Sequence, residues 1–519
     1  MKQGDLVRIL AGLILFAIAY ALINSELLIH SILYRLAAND SSSAFFASIS
    51  IMLQSLITLV LVVLLPKRFF GLLLGIVAVS TAINLTYSGI LGEVVDRSKI
   101  AWMLVEARQS TNAAGQFAGD FAIAAFKTGM ALLLLAGTRY YLRPAVNRFT
   151  IRFKPAQTSS ILLSLTALVA YVLIPFSVTG SVASERNALV YAAQVAMADP
   201  APERALVTID PDPTRQIEKI VWLIDESISH DIFQKVIKPE LKGHTFLDFG
   251  PVMALGNCST PANFALRSGV DVVNASHDTD LRSTPSIWRY AEKAGYQTLL
   301  VDGQVAGPPQ NMLLPPERKL IDQYDSAASG LDTDRKLARR LNGLIKSPGK
   351  QFIYVVLRGV HFQYTDHYPN GVSDGNLSVH EQYENAVRYS KKDFFAQLLD
   401  GVSRDRAAII YTSDHGQNIA DDAMPHCSVN PTKAEFSIPL VAFLPTAEAQ
   451  KLTHQTDGPR SASQIFPTTL NWMGFPGRYA QTRYDQDLFN PSKRLIWFGR
   501  TVVPLDASDK IEVYPIPKR

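Results

Sequence analysis

A chain of 519 residues exceeds one ordinary domain and implies two or three units. Fifty basic side chains against 46 acidic ones leave a charge of +4, which gives no electrostatic reason to expect nucleic acid. Two cysteines, Cys258 and Cys427, exclude a disulfide-rich scaffold and a CxxC zinc site, so any metal must be held by carboxylates, imidazoles or hydroxyls.

Five apolar runs come first, at about residues 7–23, 45–65, 69–87, 121–137 and 161–178. Each has roughly the length that crosses a ~30 Å hydrocarbon layer at ~1.5 Å per residue. The first is not a cleavable leader, because four more runs follow and no small-residue cleavage site closes it. Lys2 and Arg8 flank the first run, Lys67 and Arg68 separate the second from the third, and Arg139, Arg143, Arg148, Arg152 and Lys154 follow the fourth. Alternating spans put these cations on one side, which is the cytoplasm. An odd number of spans then sends everything after residue 178 to the far face, which in a bacterium is the periplasm or the outer face of the inner membrane. Lys127, inside the fourth run, is expected to snorkel or to pair with another helix. The loop 88–120 is expected along the outer interface.

Residues 179–216, rich in proline and acid, read as a periplasmic linker between a five-helix transmembrane domain (1–178) and a soluble domain (217–519). In that domain "KIVWLID", "YQTLLVD", "FIYVVLRGV", "AAIIYTSD" and "IPLVAFLP" are candidate buried strands, and helical stretches lie between them. The alternation predicts an α/β fold with a mainly parallel central sheet. No internal repeat, GxGxxG or P-loop occurs. Active groups in such sheets gather beyond the carboxyl ends of the strands. There the sequence places Asp225-Glu226-Ser227, Asp302 and Gln304, His361, Asp414-His415-Gly416 and, in the following loop, His426. Oxygen and nitrogen donors without a thiolate pair favour Zn²⁺, with Mn²⁺ or Mg²⁺ next.

The stretch "ALGNCSTPANF" sets Ser259 and Thr260 before Pro261, a residue suited to a first helical turn. A hydroxyl there either caps the helix or serves as a nucleophile. A helix N-terminus suits a phosphate, and a serine activated by a metal attacks phosphorus near neutral pH.

These residues resemble the alkaline-phosphatase/sulfatase superfamily, and more narrowly the membrane-bound bacterial phosphoethanolamine transferases that modify lipid A and related envelope glycans. "IVWLIDES" resembles that family's Gly-Glu-Thr strand end, which implies a metal ligand at Glu226. "YTSDHGQ" resembles its Ser-Asp-His-Gly motif, implying ligands at Asp414 and His415. "VLRGVHFQYTDHYP" and "MPHCSVNP" resemble the segments with substrate-side histidines, here His361 and His426. "EARQSTN" resembles a Glu-Thr-Asn region near the lipid substrate, which implies substrate contacts at Thr111 and Asn112; Gln304 is a further candidate. Ser259-x-Pro261-Ala262-Asn263 is similar to the sulfatase signature and favours Ser259 over Thr260 as nucleophile and fourth metal ligand. Serine replaces the family's usual threonine, Asn263 the signature arginine, and Gln417 the glutamate of Asp-His-Gly-Glu, a change that bears on a second metal. "VDGQVAGPP" lacks the family's cysteine-rich segment and its lysine, a change that bears on the acceptor.

Each cysteine adjoins an expected site residue, Ser259 or His426. Buried free thiols are one reading; in an oxidising compartment a single disulfide would tie the nucleophile turn to the histidine loop. His367 is expected in a surface turn. The resemblance implies a monomeric inner-membrane enzyme. It would move phosphoethanolamine from phosphatidylethanolamine to lipid A or another envelope glycan through a covalent intermediate on Ser259. Alternatives are a glycerol-phosphate transferase, a membrane-bound sulfatase or phosphodiesterase, and a metal-stabilised structural or sensor domain.

Overall fold

The structure is a computed structural model. It describes all residues except 1–2, 34–35, 37–40, 92–93, 106–116, 150–156, 175–176, 178–180, 305–310, 327–329, 362, 370, 373–376, 421–423, 429, 451–457, 505–509 and 519. Thr111 and Asn112 therefore lie outside the described residues. The chain divides into two units, Met1–Ala198 and Asp199–Arg519.

The first unit is helical. Its main helices among the described residues are α1 (Gln3–Ile23), α2 (Ser41–Leu64), α3 (Lys67–Leu91), α4 (Arg97–Val105), α5 (Ala118–Phe149), α6 (Gln157–Leu173) and α7 (Asn187–Ala196). Four of them, α1, α2, α3 and α5, are long and apolar enough to cross a membrane. The fifth expected span is the 17-residue α6, shorter than the other four. Lys127 is exposed on α5. The expected linker is not extended throughout, since it contains α7, whose Ala188, Val190 and Tyr191 are buried against α3 and α4. The proline and acid that suggested a linker are concentrated after this helix, from residue 199 onward.

Buried polar side chains lock this unit. Glu185 accepts from Asn24 Nδ2 at 3.0 Å and Thr58 Oγ1 at 2.9 Å. Arg186 donates to the carbonyls of Tyr171 and Ile174 at the end of α6 and to Gln54 Oε1. Asn84 and Asn187 exchange side-chain hydrogen bonds. Without water, such groups must satisfy one another, and these do.

The second unit is built on an eight-stranded sheet. Its strands are β1 (Lys219–Asp225), β2 (Leu247–Met253), β3 (Gln297–Asp302), β4 (Gln323–Ser326), β5 (Gln351–Val356), β6 (Ala407–Ser413), β7 (Ser437–Phe443) and β8 (Arg460–Ser461), in the order 4-3-5-1-6-7-2-8. The run from β4 to β6 is parallel. β7 is antiparallel to both β6 and β2, and β8 is parallel to β2. Every residue of β1, β5 and β6 is buried. Helices cover both faces, so these strands read as continuous apolar runs. Ile220, Trp222 and Ile224 of β1 enter one core; Val221 and Leu223 enter the other. Strand β2 escapes the sequence reading because Gly250 and Pro251 interrupt it, and the register shifts there. A hairpin, β9 (Ile496–Phe498) with β10 (Val513–Pro515), lies outside the sheet.

Candidate active site

The parallel strands β1, β5 and β6 deliver their carboxyl ends to one place. Glu226 follows β1, and Asp414 and His415 follow β6. One donor atom from each of these three buried residues lies within 4.8 Å of the other two. His415 Nε2 is 3.3 Å from Glu226 Oε1 and 3.7 Å from Asp414 Oδ2. His415 Nδ1 is 2.8 Å from the Gly416 carbonyl. A carbonyl can only accept, so the ring proton sits on Nδ1 and Nε2 faces the acids.

Ser259 opens helix α8 (Ser259–Ser268). Its Oγ lies 3.0 and 3.2 Å from the two Glu226 oxygens and 3.3 Å from His415 Nε2. The residue in the cap position is Cys258, with an extended backbone, and its side chain caps nothing. Ser259 therefore does not cap the helix; its hydroxyl turns toward the carboxylates. Asn263 Nδ2 donates to the Ser259 carbonyl at 2.9 Å, and Tyr354 Oη donates to Asn263 Oδ1 at 2.6 Å, so the signature's fifth position holds the serine from below.

Two buried carboxylates side by side strain the local electrostatics. Burial and then the Glu226 charge push Asp414 up to about 7. Burial pushes His415 down, but Asp414 and Glu226 outweigh it and raise the imidazole to about 9. Burial also pushes Glu226 up, and the hydrogen bond from His415 with the nearby His361 and His426 outweighs it and holds Glu226 well below the usual carboxylate range. The proton on His415 stands where a cation's charge would otherwise sit. Donor types, mutual distances and this excess of negative charge all fit a divalent ion such as Zn²⁺ held by Glu226, Asp414, His415 and Ser259.

The two further histidines are brought in as well. The His426 ring stacks on His415 with centroids 4.6 Å apart, and His361 meets His426 edge-on at 4.8 Å. Burial, with the neighbouring His415 and His361 adding to it, pushes His426 well below its ordinary value. Its Nδ1 lies 3.0 Å from Gln417 Oε1, and Gln417 Nε2 donates to Tyr364 Oη. Gln304 Nε2 donates to Glu226 Oε2 at 2.9 Å and to the Leu357 carbonyl at 3.1 Å, so here it holds the metal-site carboxylate.

Cys258 and Cys427 form a disulfide with a Cα–Cα distance of 4.8 Å. It fastens the residue before Ser259 to the residue after His426, helped by a Cys427 N–H bond to the Asn257 carbonyl at 2.7 Å. His367 is not in a surface turn. It is buried, because the 3₁₀ turn Tyr364–His367 folds against the helix that contains Tyr383.

Ser227 stands among the strand-end residues named from the sequence, but nothing there gave it a role. With φ at 63°, it donates from its N–H to Asp414 Oδ1 and from Oγ to Glu226 Oε1. No pattern of letters marks a residue held in the left-handed region.

Comparison with known proteins agrees with this geometry. Residues 249–475 match the Sulfatase family model. The matched stretch lies within the second unit. The chain is 25% identical over 224 residues to the phosphoethanolamine transferase EptC of Escherichia coli (strain K12), which covers 37% of each chain. It is 24% identical over 160 residues to the Kdo(2)-lipid A phosphoethanolamine 7''-transferase of Salmonella typhimurium, covering 26% of this chain and 28% of that one. These matches span little more than a third of the relatives' length at most. In fold, the chain is similar to the integral membrane lipooligosaccharide phosphoethanolamine transferase A (EptA) of Neisseria meningitidis, with a TM-score of 0.52 at 13% identity. That likeness covers 91% of this chain and 95% of that one.

Proposed function

We propose that this protein is a metal-dependent phosphoethanolamine transferase of the bacterial inner membrane, with Ser259 as its nucleophile. The observation that carries the reading is the position of Ser259 Oγ. It lies at a helix N-terminus, 3.0 Å from one buried carboxylate oxygen and 3.3 Å from an imidazole nitrogen, beside a second carboxylate. A zinc ion held by Glu226, Asp414, His415 and Ser259 would lower the serine pKa and offset charge on the phosphoryl oxygens. The disulfide fits an oxidising compartment, hence a soluble unit on the periplasmic face.

Phosphatidylethanolamine is the donor. Ser259 Oγ attacks its phosphorus, the bond to diacylglycerol breaks, and phosphoethanolamine remains on the serine. The first-turn N–H groups of α8 and the imidazoles of His361 and His426 orient the phosphoryl oxygens. An acceptor hydroxyl or phosphate on lipid A or another envelope glycan then takes the group and frees Ser259. The protein acts as a monomer.

The test is intact-mass analysis of the purified full-length protein after incubation with phosphatidylethanolamine. Wild type gains one phosphoethanolamine and Ser259→Ala gains none. An adduct formed equally on Ser259→Ala, or none on wild type in any phospholipid, overturns the reading. A glycerol-phosphate adduct from phosphatidylglycerol alone would reassign the donor.

A further inference from the structure

Directly behind Glu226 lies a second charged cluster that the chemistry above does not use. Lys391, at the end of the helix Val379–Lys391, is buried with its side chain 1% exposed. Its ammonium is 2.8 Å from Asp225 Oδ1 and 2.7 Å from Asp334 Oδ2. A lysine is rarely buried so fully, and here it joins carboxylates from two separate elements.

Asp225 ends β1. Its Oδ1 accepts the N–H of Glu226 at 3.0 Å, and its Oδ2 accepts Tyr411 Oη at 2.6 Å. Its carbonyl accepts the N–H of Asp414 at 3.0 Å. Asp225 therefore touches the backbone of two of the three residues that converge at the candidate metal position. Where the Gly-Glu-Thr motif has glycine, this chain has a buried acid, which needs a counter-charge.

Asp334 lies in the first turn of the helix Thr333–Lys346. It accepts the N–H groups of Arg358 at 2.8 Å and Gly359 at 3.2 Å, and the Ser390 hydroxyl at 2.8 Å. The turn it holds leads to His361 and leans on Glu226. A Cβ at Gly359, where φ is +56°, would lie 2.5 Å from Glu226 Cβ. Val360 N–H donates to the Glu226 carbonyl at 3.2 Å.

We propose that Lys391 is a positioning residue: with Asp225 and Asp334 it locks the strand end that carries Glu226 to the turn that carries His361, and so sets the geometry of the metal-binding carboxylate. This rests on the reading of Glu226 as a metal ligand. Partners beyond the ligands typically contribute 10–100-fold to metal affinity.

The test uses full-length protein and three variants. They are Lys391→Met, the charge-compensated pair Asp225→Asn with Lys391→Met, and Glu226→Gln as a control. Each is read by Zn²⁺ affinity, by the visible spectrum of the Co²⁺-loaded protein, by melting temperature, and by kcat and KM with phosphatidylethanolamine vesicles. Lys391→Met is expected to weaken Zn²⁺ binding about 10–100-fold, shift the Co²⁺ bands and lower kcat with little change in KM. The pair is expected to regain part of the melting temperature, since Asp225 no longer carries a charge and only Asp334 has lost its ammonium partner, while Zn²⁺ affinity and the Co²⁺ bands stay altered. If Lys391→Met does not fold, the pair carries the test. A folded pair with wild-type Zn²⁺ affinity and Co²⁺ bands overturns the inference, provided Glu226→Gln has lost them. If Glu226→Gln also binds as wild type, the metal reading itself falls and takes the inference with it.

Discussion

The two ends of helix α8 sit in two different electrostatic worlds. At its first turn Ser259 meets Glu226, Asp414 and His415, two buried carboxylates against one imidazole. At its last turn Arg267 meets Glu317, a buried carboxylate that Arg267 Nε holds at 3.1 Å and Arg204 Nη2 at 2.9 Å. Glu317 has more positive charge around it than it needs. Burial pushes its pKa up, but the two arginines outweigh burial and hold it below the usual carboxylate range. Asp414, short of positive charge, is pushed up to about 7. Both assemblies are equally dry. The saturated one is complete as protein and serves as a structural anchor. The undersaturated one has a cation's worth of charge missing, which is the physical mark of a binding site.

The largest effects should fall at the undersaturated end. Glu226→Gln is expected to weaken Zn²⁺ binding by about 10²-fold or more and to abolish transfer, with a modestly lower melting temperature of the metal-free protein, because His415 loses the carboxylate that pairs with it. A lower melting temperature with Zn²⁺ affinity intact would mean that the site is a structural anchor like the other. At the saturated end the pattern should invert. Arg204→Met leaves Glu317 paired with Arg267 alone and should cost less than the ~3–5 kcal/mol of a wholly unpaired buried charge. That loss is read as a lowered melting temperature, with Zn²⁺ affinity unchanged in the folded fraction. Weakened Zn²⁺ binding there would show that the two ends of the helix are coupled and not separable.

The chemistry-bearing letters at the undersaturated end were legible because strand ends concentrate them. Asp414-His415 closes an apolar run, and Ser259 precedes a proline. Their supports were not legible. Lys391 and Lys392 are adjacent and identical in the sequence, yet one is buried between two acids and the other is exposed. Which of the two faces inward depends on how the helix Val379–Lys391 docks against the sheet, a long-range property. Gln304 was expected as a substrate contact, and its hydrogen bond to Glu226 was not foreseen. Five strands of the sheet were recovered from their apolar runs, and three were missed: β2, where Gly250 and Pro251 break the run, the short polar β4 and the two-residue β8. In the first unit hydropathy located the spans. It did not separate α7 from the linker, because this largely apolar helix is only ten residues long, too short for a span, and its burial depends on packing against α3 and α4.

The disulfide tests whether the site depends on its covalent tie. Cys258 and Cys427 are 169 residues apart, so the bond closes a long loop. Replacing both by serine is expected to cost about 2–5 kcal/mol. It should also lower kcat, since the turn before Ser259 and the loop carrying His426 lose their common anchor. An unchanged melting temperature in the oxidised protein against the double variant would show that the tie is redundant with the hydrogen bonds around Asn257 and Glu435.

The mildest prediction concerns His367, which belongs to neither end of α8 and separates burial from charge. Its Nδ1 has no hydrogen-bond partner among the described residues. Burial, followed by the nearby Arg358 guanidinium and the neighbouring His361, pushes the imidazole down to about 3. An unfolded histidine titrates near 6.5. Below that value the unfolded chain binds a proton that the folded chain refuses. The stability this group contributes is therefore fully present above about pH 6.5. It falls by up to ~1.4 kcal/mol per pH unit as the solution is acidified toward about pH 3. His367→Phe removes the titration while filling the space. The difference in melting temperature between wild type and this variant should shift in the variant's favour from pH 6.5 to pH 4.5. A difference that does not change with pH over that range would mean that His367 takes up its proton inside the fold, and that burial at this turn is not what suppresses the charge.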